Sequence, residues 1–243
     1  MEGGPGPPTR DGSDSSWLGR FTEWPGLLRS PGRAFGMRDA VTTTILYLVA
    51  VVAFSAAAIA IAVGLGDPLL SGQVPSSGKS GLDAIWHLLT AFVLVLPLRR
   101  RLAYLLAPVL SLGIDIDHIF GSFLPYVVGR EAHDVFFLVL VSLFLYAVEG
   151  RPAALLGAGA VVTHIAVDGG SFPFFAPVSI AQYPLPFPAA VLLLVVAALL
   201  FHLAYRPVDE LRQPRIALPI AGVIAAVSVA VLFFPLLYSF NTF

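Results

Sequence analysis

No cysteine occurs among the 243 residues, which excludes disulfides and thiolate metal sites and leaves His, Asp and Glu as the side chains able to hold a metal ion. Charge is scarce too. Asp, Glu, Lys and Arg make up 12% of the chain, about half the share of an ordinary soluble domain, so there is too little polar surface to cover a water-soluble particle. A formal net charge of -1 lacks the clustered basic surface that phosphate backbones require, and no nucleic-acid partner is expected. A secretory signal peptide is not expected either, because the first long apolar block begins only after Asp39 and exceeds the length of an h-region.

What the chain does have is apolar sequence in blocks. Hydrophobic residues make up 57%, and segments 41–65, 82–98, 102–120, 135–148, 153–167, 187–205 and 216–240 approach or exceed the ~20 helical residues that cross a bilayer. A single segment can cross only as a helix, since it must satisfy its own backbone hydrogen bonds. The expected fold is therefore an all-α polytopic transmembrane bundle of about seven spans over residues 38–243. Residues 1–37 form an N-terminal tail. Its Gly-, Pro-, Ser- and charge-rich start reads as disordered, and Trp17, Phe21 and Trp24 among arginines suit the headgroup region. No internal repeat suggests the inverted halves of a transporter.

The basic residues set an orientation. With the N-terminus inside, 12 of the 14 Lys and Arg fall on the cytoplasmic side, including Arg99, Arg100 and Arg101, and only Lys79 and Arg130 fall outside. Positive charge is retained on the cytoplasmic side, so the expectation is N-in and C-out, in the cell (plasma or inner) membrane.

Ionisable residues at membrane depth are costly and ask for partners. With these spans, His87, the stretch Asp115-Ile116-Asp117-His118, His133 and the pair His164 and Asp168 all fall in one outer layer, delivered by four antiparallel helices. His164 and Asp168 are four apart, and Asp115 and His118 three apart, so each pair shares a helix face. Taken singly, each histidine is more simply an interfacial side chain, and Asp-x-Asp-His an ordinary polar helix end. Their convergence points instead to a metal site. Imidazole and carboxylate without thiolate suit Zn, Mn or Fe, and several of each suggest two or more divalent ions. His202, at the opposite end of its helix, reads as interfacial. Arg130 is placed either to bind a phosphate or carboxylate oxygen or to pair with Glu131 or Asp134. The uncharged Gly-, Pro- and aromatic-rich loop 169–186 could form an apolar lid or a plain interfacial loop.

A histidine in an early helix, then Asp-x-Asp-His, then Arg130-Glu131-Ala132-His133, then His164-x-x-x-Asp168 before a Gly/Pro-rich loop resembles the YdjM-like membrane-bound metal-dependent hydrolases. The resemblance covers about residues 82–186. Where that family has His-Arg-x-x-Thr-His-Ser, this chain has Gly129 before Arg130, Ala132 for the threonine and Asp134 for the serine, with one residue fewer before His133. The family looks similar to the zinc-dependent phospholipase C fold, which implies phosphoester hydrolysis. The expected ligands are His87, Asp117, His118, His133, His164 and Asp168. Asp115 is expected as a supporting carboxylate or base, and Arg130 as an oxyanion or phosphate contact. A site at headgroup depth suggests a lipid-linked or amphipathic substrate. The alternatives are an ion- or proton-coupled transporter and a membrane protein with a non-catalytic metal.

Overall fold

The chain folds as a helical bundle in a computed structural model that describes residues 35–64, 81–123, 131–168, 170–172, 174–175 and 183–239. The tail up to residue 34, Arg130 and much of the 169–186 loop lie outside the described residues. Helix α1 spans Met37–Gly64 and α2 Gly81–Val95. Pro97 cannot continue α2, since it lacks an N–H and its ring crowds the preceding turn. The chain tightens into a 3-10 turn over Leu96–Leu98, and Arg99 adopts a left-handed φ of 53° that turns it into α3, Arg101–Gly113.

Helix α3 passes into a second 3-10 turn, Ile114–Asp117, and then into the short α4, His118–Phe123. Helix α5, Val135–Glu149, begins where the Asp134 carboxylate accepts the Phe137 N–H at 2.6 Å, the usual use of an aspartate N-cap. It ends at Gly150, whose φ of 85° suits glycine and starts α6, Arg151–Asp168, without a longer loop. Strands β1, Gly170–Phe172, and β2, Tyr183–Leu185, pair antiparallel in a register that sets Ser171 opposite Pro184. This hairpin departs from the all-α expectation and follows directly from the end of α6. Helix α7 is Phe187–Tyr205, α8 Val208–Leu211 and α9 Pro214–Ser239.

Helix α6 occupies the middle of the bundle, packed by α2, α3, α5 and α7. It is buried on every side from Leu156 to Val167 because its wall is built largely of small residues. A Cβ on Gly159 would meet the Phe201 ring at 2.7 Å, and one on Gly157 would meet Leu145 at 2.6 Å, the close approach small residues permit between membrane helices. Outward faces are the reverse. Val41, Ile45, Val49 and Val52 run exposed along α1, as do Val139, Leu140 and Leu143 along α5, where a helix facing water would carry charge.

Among the described residues, three helical stretches are long and apolar enough to cross a membrane: Met37–Ile61, Arg101–Phe120 and Phe187–Tyr205. Shorter apolar helices cover Ala84–Leu98, Val135–Glu149 and Pro214–Ala230. The fold is thus mostly helical and marked for membrane association.

The two ends of the bundle differ. Phe35 packs edge-on against Tyr205 at 6.3 Å, and an Arg151 N–H donates to the Leu203 carbonyl at 3.3 Å. The start of α1, the α5–α6 turn and the end of α7 therefore lie together. Every arginine among the described residues (Arg38, Arg99, Arg100, Arg101, Arg151, Arg206, Arg212 and Arg215) stands at the helix ends on this side. The histidine and aspartate cluster is at the other.

Candidate metal centre

The cluster is assembled from four parts of the chain: His87 in α2, the turn 115–118 after α3, His133 just before α5, and His164 with Asp168 at the end of α6. His87, Asp117, His133 and His164 are fully buried. The side chains of Asp115 and His118 keep 17% and 28% of their surface and form the open rim.

Local backbone geometry aims these groups. In a 3-10 turn residues three apart eclipse one another. Asp115 and His118 accordingly point the same way, with His118 Nε2 3.1 Å from Asp115 Oδ1. Asp117 turns a third of the way round the axis and meets the segment before α5. Its Oδ2 accepts the Ala132 N–H at 3.0 Å and Nδ1–H of His133, also at 3.0 Å.

His164 is held by the backbone. A 3-10 turn bonds three residues back instead of four, which releases a carbonyl from the helical ladder just ahead of it. The Ser111 carbonyl accepts from His164 Nδ1 at 2.8 Å. His87 stacks on His164, ring centroids 4.0 Å apart, and its Nε2 lies 3.1 Å from Asp168 Oδ1.

These contacts fix the tautomers. A carboxylate and a carbonyl only accept, so the Nδ1 atoms of His133 and His164 carry their protons, and in the neutral rings both Nε2 atoms present lone pairs. Those two Nε2 atoms are 2.9 Å apart. Two lone pairs facing at that distance repel unless a proton or a metal ion is shared between them.

The surrounding oxygens complete the arrangement. Asp115 Oδ1 is 3.4 Å from His164 Nε2 and 3.9 Å from His133 Nε2. Asp168 Oδ2 is 3.6 Å from each of the same nitrogens. Ligand atoms about 2.1 Å from a tetrahedral ion stand about 3.4 Å from one another. Asp115 and Asp168 thus each lie close enough to the facing Nε2 pair to share an ion with it.

Three overlapping sets could hold an ion: His87 with His164 and Asp168, Asp115 with His133 and His164, and Asp117 with His118 and His133. All seven expected residues other than Arg130 are therefore brought together. Asp115, expected in a supporting place, has an oxygen among the converging atoms, while Asp117 Oδ2 is engaged in orienting His133. His202 is not part of the cluster, and it is fully buried instead of presented at an interface. Ser111 was not legible in advance, because a backbone acceptor leaves no side-chain signal.

Phe174, beyond Asp168, reaches the same end. The Val135 N–H, at the start of α5, donates to the Phe174 carbonyl at 3.0 Å. No protein-family model, curated protein or solved structure matches the chain. The resemblance to YdjM-like hydrolases accordingly stands on its motif residues alone.

Proposed function

We propose that the chain is a membrane-embedded hydrolase whose His/Asp cluster holds divalent metal and cleaves a phosphoester in a lipid-linked or amphipathic substrate. The observation that carries this reading is the 2.9 Å approach of His133 Nε2 to His164 Nε2 inside a cage of two carboxylates. The primary ion would be held by His133, His164, Asp115 and Asp168, with His87 orienting Asp168 and Asp117 orienting His133. Such outer partners fix ring orientation and raise ligand basicity.

A second ion would sit on the rim between His118, Asp117 Oδ1 and a shared Asp115. Asp117 Oδ1 is buried and has no hydrogen-bond partner among the described residues. Zinc fits the small N/O donor set best, with Mn and Fe the other ions of matching chemistry.

A divalent ion in such a site lowers the pKa of bound water to near 7 and offsets charge on the attacked phosphoryl oxygen. The residues supply the rest. Asp115, on the open side beside His118, can take the proton released when water adds to phosphorus through the carboxylate oxygen it does not offer to an ion, and return it to the departing alkoxide as the P–O ester bond breaks. Arg130 is assigned to a non-bridging phosphate oxygen, as its place in the motif implies.

The 12 to 2 division of basic residues supports seven spans, N-in and C-out, in the cell (plasma or inner) membrane, with the metal site on the extracytoplasmic side. The test uses purified full-length protein in detergent, with neither membrane potential nor ion gradient. It should release product from a panel of lipid phosphoesters, lose that activity to a chelator and regain it with Zn or Mn. Ion flux in liposomes without turnover of any ester would instead make the chain a transporter.

A further inference from the structure

At the basic end the structure holds a cleft of different chemistry. This cleft of about 610 Å³ opens between the 3-10 turn after α2 and the start of α9, lined by Leu96, Pro97, Arg99, Arg206, Glu210, Arg215, Ile216 and Pro219. His87 and Arg99 are twelve residues apart along α2 and its turn, so the cleft lies roughly 15–20 Å from the metal centre along the bundle.

We propose that this cleft binds the headgroup of an anionic phospholipid. Three of its lining side chains are arginines from three separate segments, against a single acid among the described residues. One arginine is already partly engaged: Arg206 pairs with Glu210 at 3.3 Å. Arg215 donates through Nε to Gln213 Oε1 at 2.9 Å, which steadies its guanidinium while the terminal nitrogens remain available for a phosphate. Arg99 is carried by a backbone in the left-handed region, where residues other than glycine are uncommon.

The rest of the wall decides between a lipid and a free anion. Leu96, Pro97, Ile216 and Pro219 give the cleft an apolar side, which matches the glycerol and upper acyl region of a lipid and gives nothing to inorganic phosphate. Arginine meets phosphate oxygens bidentately, and basic residues at a helix end draw anionic lipids toward that surface.

The experiment places the full-length protein in nanodiscs of phosphatidylcholine alone or with phosphatidylglycerol and measures lipid retained by native mass spectrometry and the unfolding temperature. Phosphatidylglycerol should be retained in preference and raise the unfolding temperature. The double variant Arg99→Gln, Arg215→Gln should lower its apparent affinity about 30-fold, the loss of two arginine contacts, while remaining monodisperse. Equal retention of the two lipids by the wild-type protein would overturn the proposal, whether or not the variant folds. So would an equal shift from millimolar inorganic phosphate in phosphatidylcholine discs, which would assign the cleft to a free anion.

Discussion

The two ends of this bundle use polar residues in opposite ways. At one end arginines stand around helix termini, half-buried or exposed, paired across the surface with groups such as Glu210 for Arg206 and the Leu203 carbonyl for Arg151. At the other, histidines and aspartates from four segments are driven together in the interior, with His87, Asp117, His133 and His164 fully buried. Long arginine side chains reach an interface by extension and need no fixed geometry. A buried imidazole has no such escape, and each one in the cluster is tied to a carboxylate or carbonyl. The basic end is where the proposed orientation is to be tested, and the His/Asp end is where a metal could be held.

The largest expected effect concerns sidedness. Because the chain has no cysteine, a single introduced cysteine is a unique label. Cysteines at Gly81 and Ser171 should react with a membrane-impermeant thiol reagent on intact cells, and one at Gln213 should stay unlabelled. The reverse pattern would place the metal centre in the cytoplasm.

Next come the groups that would hold the metal. Replacing His164 by Ala or Asp168 by Asn should lower metal affinity by about 100-fold or more, since either change removes one of four converging donors. Asp117→Asn should cost less, about 10- to 100-fold, because it weakens the orientation of His133 without removing a donor from the primary site. Competition with a metal indicator would rank the three, and an Asp117→Asn loss exceeding that of Asp168→Asn would exchange their roles.

The smallest effects belong to packing. An alanine in place of helical glycine gains up to about 1 kcal/mol from backbone entropy. At Gly159 its Cβ would meet the buried Phe201 ring at 2.7 and 2.8 Å, an overpacking that costs about 1–3 kcal/mol. At Gly157 the nearest atom is a Leu145 methyl, which can rotate aside. Gly159→Ala should therefore lower the unfolding temperature, and Gly157→Ala should leave it nearly unchanged. Equal shifts would mean that α6 and α7 are packed less tightly than this.

Much of this architecture was legible in the sequence. Helices stand within a few residues of all seven expected segments, and 187–205 coincides with α7, because long apolar blocks bounded by Pro, Gly and Arg leave little choice. Convergence of the histidines and aspartates followed from placing each at the same end of antiparallel helices. The division of labour between Asp115 and Asp117 did not follow. It depends on α3 tightening into a 3-10 turn, and nothing in Ile-Asp-Ile-Asp fixes that change of pitch. The Ser111 carbonyl was invisible for a similar reason. His202 showed the limit of reading position along a helix, since whether a neighbour covers a residue is decided by packing between segments.

The central claim is that His133 and His164 face each other across a bound cation, and metal content tests it most directly. Full-length protein purified without chelator should carry at least one equivalent of a divalent transition metal per chain by mass spectrometry of the digested sample. His202→Ala, roughly 20 Å away at the far end of α7, should keep that complement. The double variant His133→Ala, His164→Ala should lose it while eluting as the same monodisperse peak. Wild-type protein holding no more metal than the double variant, even after incubation with Zn and Mn, would contradict the account.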